Sequence, residues 1–462
     1  MPIPPDLGPR FIEIKKSLVA PANRDKVTAS WKRLLRQLST EFTEINAQGS
    51  SYVPTVDWNK IVQNNYQLPR DVEEKFKQRG VIMVENLIDV PQIDLWFNQL
   101  VDFCKTHHQT AGYTYPNPTS WYNVFWTKPQ TEARFHPNMQ KLMSVMAKQF
   151  HVCDPDCLLD LNTQVTYGDR IRIRYPGAAA ALPLHLDSSS IERWEDESYR
   201  AVYKEFFEGD WENWDPFKLD DRTYANENLY HDFTEARDTI CSSFRTLQGW
   251  LALSDNRTGE GTLRVLPNIK LTVAYIMLRP LFWKDPESGN IDDYEMDLET
   301  SKFPGAKPST GQLYIPDEFF HHLNQAKSVV GIPDVKKGSF VFWHADLPHE
   351  VDKNHNGNSH SSVFYYAQSP LSVANINTLL DTKNSFIGNV SPIDYRTQLS
   401  PEQMEQEFQG ADRSHVPNNE GLRSMGLMPF DTSDPSLTTG QRKIREMANE
   451  ALKTNKFVYE HA

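Results

Sequence analysis

The chain has 462 residues and carries 48 Lys+Arg against 61 Asp+Glu, a formal charge of −13. That length admits two domains or one large domain with insertions. The negative balance argues against nucleic acid or an anionic membrane as a partner, so an anionic ligand would need a local cluster of arginines. No run approaches the ~18 apolar residues of a membrane span, the opening MPIPPDLGPRF lacks the pattern of a secretory signal, and Cys104, Cys153, Cys157 and Cys241 have neither disulfide-framework nor zinc-site spacing. A soluble, cytoplasmic protein with reduced thiols is expected.

Residues 10–47 carry Leu18, Val27, Trp31, Leu34, Leu35 and Leu38 and predict an outer, wrapping helical segment. GVIMVENLI (80–88) predicts a short buried strand, and Ile93, Trp96, Phe97, Leu100 and Phe103 then recur at helical spacing, as do Met139, Leu142, Met143, Met146 and Phe150. Between those helices, 120–137 is dense in aromatics and carries Gln130 and Arg134. Next, Ile171, Ile173 and Tyr175 alternate with Arg170, Arg172 and Arg174, predicting a strand with one apolar and one basic face. Residues 191–240 are acidic, rich in Trp and free of strand alternation, which suggests a helical insertion.

Strand patterns follow at 244–254, 261–267, 271–283, 311–316, 339–343 and 361–367, separated by turns such as Lys337-Gly338. Many short strands at this spacing predict an α+β protein whose core is a double-stranded β-helix, a jelly roll of the cupin type. A capping box at Ser400-Pro401-Glu402-Gln403 and a helical run over 440–453 close the chain. The expected organisation is a mainly helical part over 1–160, a jelly-roll core over 161–370 with its insertion at 191–240, and a helical extension over 371–462, packed as one unit.

Within LPLHLDSSSIERW (182–194), His185 and Asp187 stand two apart, so one strand projects an imidazole and a carboxylate to the same side. That pair is two-thirds of a 2-His-1-carboxylate facial triad, which holds a divalent metal and leaves positions open for oxygen and substrate. A jelly roll returns its late strands beside its first ones, so the third ligand is expected near the end of a late strand. KKGSFVFWHADLPHEV (336–351) offers His344 and His349; His321 and His322 read as packing or solvated histidines.

The ordered set formed by residues 164–187, GWLALSD (249–255), GEGTLRVLP (259–267) and GSFVFWHADLPHEV resembles the Fe(II)/2-oxoglutarate oxygenases of the phytanoyl-CoA-dioxygenase superfamily. With SIERWED (190–196), FRTLQGWLALS (244–254), the Trp/Gln/Arg segment 121–136 and GLRSMGL (421–427), the chain is similar over nearly its whole length to a bacterial and fungal branch of unknown function, the YbiU-like proteins. The resemblance implies His185, Asp187 and His349 as ligands and catalytic centre, Fe(II) as metal, 2-oxoglutarate and O2 as cosubstrates, and oxidation of a small organic molecule with release of succinate and CO2. Trp250, Trp343 and the aromatics of 121–126 would exclude water.

Relatives hold the far carboxylate of 2-oxoglutarate with an arginine roughly ten residues past the distal histidine. Here 354–366 contains no arginine or lysine. Arg245 and Arg264, each in an otherwise apolar strand, become the leading candidates, because a buried guanidinium needs an anionic partner; Arg172 and Arg174 come next. Trp121, Trp126, Gln130, Arg134 and Trp194 are expected to roof the iron and bind a small-molecule substrate. The rival readings are a zinc hydrolase, with Glu350 as the neighbouring base, and a cupin-like binding protein without catalysis.

Overall fold

The computed structural model describes residues 5–107, 121–178, 182–227, 229–230, 241–282, 294–398 and 410–459. In chain order its strands are β1 (Thr55–Asp57), β2 (Val81–Glu85), β3 (Trp121–Tyr122), β4 (Leu159–Gln164), β5 (Ile171–Arg174), β6 (His185–Leu186), β7 (Leu247–Ala252), β8 (Leu263–Val265), β9 (Leu313–Tyr314), β10 (Val330–Gly331), β11 (Phe340–His344), β12 (His349–Val351), β13 (Ser361–Tyr365) and β14 (Pro370–Ser372). They build a mixed α+β fold with a seven-stranded sheet, β1-β2-β11-β7-β13-β5-β3, a five-stranded sheet, β10-β8-β12-β6-β9, and the pair β14-β4.

The alternation of side chains along the large sheet decides what each face does. Ile171, Ile173, Leu247, Leu251, Phe340 and Phe342 share one face and pack on helices Val90–Thr106 and Pro137–Ala147, through Ile93, Trp96, Leu100, Met139, Leu142 and Met146. Full burial of each such side chain contributes about 1.5–3 kcal/mol. The opposite face presents Val81, Met83, Trp250, Ala252, Val341, Trp343 and Val363, clustered with Leu263 and Val265 of the small sheet. Arg172 lies opposite Val363 in the ladder and so shares this inner face. The space between the two sheets is the chamber in which the functional residues meet.

Turn chemistry closes the sheets where the sequence expects it. Gly338 has φ +85° just before β11, and a Cβ there would lie 2.1 Å from the Ile88 carbonyl oxygen, so no other residue fits this turn. The predicted strand at 80–88 and both helices after it are present. The N-terminal segment is two helices, Pro9–Leu18 and Arg24–Gln48, broken around Pro21; the second buries Val27, Trp31, Leu34, Leu35 and Leu38.

One expected strand is a helix. LTVAYIMLRPLFW folds as helix Ile269–Leu278 followed by a 3-10 turn, Arg279–Leu281, with the Asn268 side chain capping Leu271 N–H. Every residue of Leu271–Leu278 is buried, so all sides are apolar and no 3.6-residue period remains to distinguish it from a buried strand. Trp31 stacks over Tyr275 at 5.2 Å and Phe282 at 4.8 Å, which covers this helix from outside. The insertion consists of short helices, Glu192–Glu195, Glu197–Ala201 and Lys204–Phe207, with 3-10 turns at Trp211–Asn213 and Arg222–Tyr224; its last ten positions, 231–240, lie outside the described residues. The run predicted at 440–453 is helix Thr439–Thr454 with a Thr438/Gln441 capping box, whereas the Ser400–Gln403 box lies outside the described residues. Among the described residues no helix is long and apolar enough to cross a membrane.

Candidate metal centre

The register of the small sheet brings the three expected ligands together. His349 at the start of β12 pairs directly with His185 of β6, so their rings lie on one face with centroids 4.3 Å apart. Asp187, just beyond β6, puts Oδ1 3.4 Å from His185 Nε2 and Oδ2 3.4 Å from His349 Nε2. One ligand atom from each of the three residues falls within 4.8 Å of the other two. Both imidazoles are tethered from behind: His185 Nδ1 donates to the Pro183 carbonyl at 2.8 Å and His349 Nδ1 to the Leu347 carbonyl at 3.0 Å. That fixes the tautomer with Nε2 lone pairs facing Asp187, as a metal-binding histidine requires. His185 Nε2 is buried with no hydrogen-bond partner among the described residues. A buried acceptor of this kind costs about 1–3 kcal/mol when unmet, and a divalent cation at this point would meet it.

Electrostatics agrees with that role. Burial pushes the Asp187 carboxyl up, but His185 and His349 outweigh it and hold Asp187 well below the usual carboxylate range. Burial, with His185 beside it, pushes His349 below the usual imidazole range, so it stays neutral and able to bind metal. Gln312 of the segment before β9 donates from Nε2 to Asp187 Oδ1 at 2.9 Å, which orients the carboxylate.

The turn after Asp187 is held by the insertion. Ser188 and Ser189 have φ of +66° and +79°, left-handed conformations that cost on the order of 1–3 kcal/mol each outside glycine. Arg193 donates from Nη2 to the Asp187 carbonyl at 2.6 Å, and Tyr199 donates its hydroxyl to the Ser188 carbonyl at 2.8 Å. Arg193 Nη1 also reaches Asp346 at 2.8 Å, three residues before His349, so one guanidinium joins both ligand-bearing turns. These positioning residues were not singled out from sequence, although Arg193 and Asp346 stand inside SIERWED and HADLPHE.

The remaining expected residues divide sharply. His344 points away, donating from Nε2 to the Pro216 carbonyl at 2.9 Å between Phe150 and Phe217. Arg264 is on the wrong face: it alternates with Leu263 and Val265, opposes Glu350 in the ladder, and pairs with that carboxylate at 2.8 Å. Arg174 is saturated by carbonyls of Ala178, Asp352 and Lys353 at 2.7–3.1 Å, and burial with Arg172 alongside pushes it down to about 10. Arg172 is 3% exposed, touches Ser361 Oγ at 3.4 Å, and has no acceptor for Nε among the described residues. Arg245 is 7% exposed and leaves Nε and Nη2 unmet.

Of the aromatics, Trp250 and Trp343 line the inner face, and the Trp343 ring is 5.2 Å from that of His349. Trp121 sits on the edge strand β3 and stacks on Tyr365 at 5.5 Å. The other roof candidates are elsewhere. Trp194 is core, its Nε1 bonded to the Met277 carbonyl; Trp126 packs on Phe386 and bonds the Val390 carbonyl. Gln130 caps its own helix at Thr127, and Arg134 lies over the Tyr366 ring on the outer face of the large sheet, beside a separate cavity of about 280 Å³. Aromatic density here reflects packing.

This fold, with a buried His/Asp/His cluster between two sheets, belongs to a recognised group. The family model described as Gig2-like matches residues 5–427, and the chain belongs to that family. It is similar to the crystal structure of GlcNAc Inducible Gene 2 from Candida albicans, with 61% identity, 99% of this chain and 97% of that one covered, and a TM-score of 0.92. It is 27% identical to the uncharacterized protein YbiU of Escherichia coli over 86% of this chain and 91% of that protein. A putative oxidoreductase from Salmonella typhimurium is 25% identical, with 92% and 100% coverage and a TM-score of 0.75.

Proposed function

We propose that this protein is a non-haem Fe(II)- and 2-oxoglutarate-dependent oxygenase that oxidises a small organic molecule. The observation that carries the reading is the buried triad of His185, Asp187 and His349, with both Nδ1 atoms tethered and His185 Nε2 left without a partner. Strand order supports it: β5, β7, β11 and β13 go to the large sheet while β6, β8, β9, β10 and β12 go to the small one, so the chain passes back and forth between two sheets as in a double-stranded β-helix. When bound, iron with 2-oxoglutarate and O2 supplies the oxidising power for a C–H bond, with succinate and CO2 as coproducts.

Arg172 is our choice to hold the far carboxylate of 2-oxoglutarate. Relatives of this class carry an arginine roughly ten residues past the distal histidine, and this chain has none over 354–366. Arg172 reaches the Ser361 hydroxyl from the neighbouring strand, so the missing cation is supplied sideways. The hydrolase reading loses its base, since Glu350 alternates with His349 and pairs with Arg264 on the opposite face of β12.

The test is an anaerobic titration with Fe(II) and 2-oxoglutarate, watched for the visible charge-transfer band of a chelated cosubstrate. We expect the band in the wild type and at least tenfold weaker 2-oxoglutarate binding in Arg172→Met with iron retained. A wild-type protein that binds iron without forming the band sinks the reading.

A further inference from the structure

The chamber holds a second set of buried donors that 2-oxoglutarate at Arg172 would leave unanswered. Arg245, just before β7, makes one side-chain hydrogen bond among the described residues, Nη1 to Gln248 Oε1 at 3.3 Å. Its Nε and Nη2, the Nε2 of Gln248 and the Nε1 of Trp343 have none, and all three residues are at least nine-tenths buried. Gln248 and Trp343 are ladder partners on the inner face, and Trp343 is the residue packed against His349. These unmet groups therefore gather on one wall beside the triad, and every one is a donor. Water can accept from such a wall but brings no counter-charge to the guanidinium, whereas a carboxylate, which only accepts, answers both the donors and the charge.

Nothing among the described residues plays that part. Burial alone would lower the Arg245 guanidinium, and Cys241, Asp187, Tyr167 and Asp169 together raise it instead, so it stays charged. Neither carboxylate, however, bonds to it. A buried cation without a bonded counter-charge is costly, and chains keep such features where a ligand completes them.

Arg172 and Arg245 stand at opposite ends of β7. Across the large sheet Arg172 is level with Val363 and Ala252, whereas Arg245 lies before the other end of the strand, Leu247, which is five positions (252 − 247) or about 17 Å from Ala252 at about 3.3 Å per residue. The two guanidiniums address the chamber from different levels. One can take the cosubstrate; the other is left for a different anion next to the metal.

We infer that Arg245, Gln248 and Trp343 form a second anion site, and that the substrate is a small monocarboxylic acid held there by its carboxylate beside the metal triad. Trp250, next along the inner face of β7, supplies an apolar wall for the rest of the molecule. One guanidinium matches one negative charge, which favours a monoacid over a polyanion. The inference deepens the proposed oxygenase function and rests on it for the word substrate, but the anion site itself can be tested alone.

The probe is 4-fluorobenzoate, followed by fluorine NMR on the full-length chain loaded with Zn(II), with and without 2-oxoglutarate, and 4-fluorobenzamide as the neutral control. We expect the acid to bind and the amide to bind at least tenfold more weakly. Arg245→Met should weaken the acid at least tenfold, Arg245→Lys and Gln248→Leu by less, and Arg172→Met should leave it unchanged. The Fe(II)–2-oxoglutarate band should persist in Arg245→Met. Acid binding no tighter than the amide, or unchanged in Arg245→Met, overturns the site; loss of the band in Arg245→Met but not in Arg172→Met reassigns Arg245 to the cosubstrate and overturns it equally. A wild type with no band would defeat the oxygenase reading, while the fluorobenzoate result would still decide the anion site. Melting temperature guards against misfolding: removing an unmet buried charge should not lower it, and Arg245→Lys provides a charged variant should the methionine form fail to fold.

Discussion

Two buried polar regions flank the ligand strands and differ in one respect. Behind the Asp187 turn, Arg193 and Arg222 share the two oxygens of Asp346 at 2.8 and 2.9 Å, Arg222 also faces Glu227 at 2.7 Å, and Tyr203 accepts from both arginines. Two cations meet two anions, and burial raises Glu227 only against the pull of Arg222 and Arg193. In the chamber, Arg172, Arg245, Gln248, Trp343 and His185 are just as buried and carry N–H groups or a lone pair that nothing among the described residues answers, and no described carboxylate pairs with either arginine. Burial and residue type are alike in the two places. What separates them is pairing of charge: Arg193 and Arg222 face carboxylates, whereas Arg172 and Arg245 have none within ion-pair distance among the described residues, and that difference distinguishes a positioning framework from a binding surface better than burial does.

The comparison is broken most drastically at the triad. His185→Ala, Asp187→Ala and His349→Ala should each weaken Fe(II) binding by more than 100-fold, given that lesser changes around a metal already cost 10–100-fold, with the circular-dichroism spectrum unchanged. Metal content after dialysis measures this, and retention in His349→Ala with loss in His344→Ala would reverse the assignment of the distal ligand.

Next in size is the charge-paired network. Asp346→Ala leaves two buried guanidiniums sharing Glu227 alone, so we expect a loss of about 3–5 kcal/mol in folding stability by urea denaturation. Arg245→Met, in contrast, should cost nothing. If both variants lost stability equally, charge pairing would not be what separates the regions.

A smaller effect concerns pH. Burial, with Arg222 and Arg193 nearby, pushes His344 down to about 4 in the folded chain against Asp346, which pulls the other way. The unfolded chain takes up that proton near 6.5. Between pH 6.5 and 4 the unfolded state therefore binds more protons, and stability falls as pH falls, by about 3 kcal/mol for this group. His344→Asn, which keeps an acceptor for the Asp346 N–H, should flatten that slope; an unchanged slope would assign the acid sensitivity to other groups.

The triad was legible because it needed only period two within one strand and an ordered series of motifs. The basic face of β5 was legible for the same reason, and Arg172 and Arg174 do share it. Sequence alternation alone could not say which face of β8 looks inward, so Arg264 and Arg245 seemed equivalent; the Arg264–Glu350 register separates them. Helix Ile269–Leu278 was hidden by its own complete burial. Trp126 and Trp194 misled because a large aromatic signals burial without naming the neighbour. Gln248 and Ser361 were unremarkable as letters and acquire meaning only from the strand across from them.

Arg174 carries a consequence for rigidity. By gripping the carbonyls of Ala178, Asp352 and Lys353, its side chain bolts the end of β5, in the large sheet, to the segment leaving β12, in the small one, so the two sheets cannot part at that end without stripping a buried guanidinium of all its acceptors.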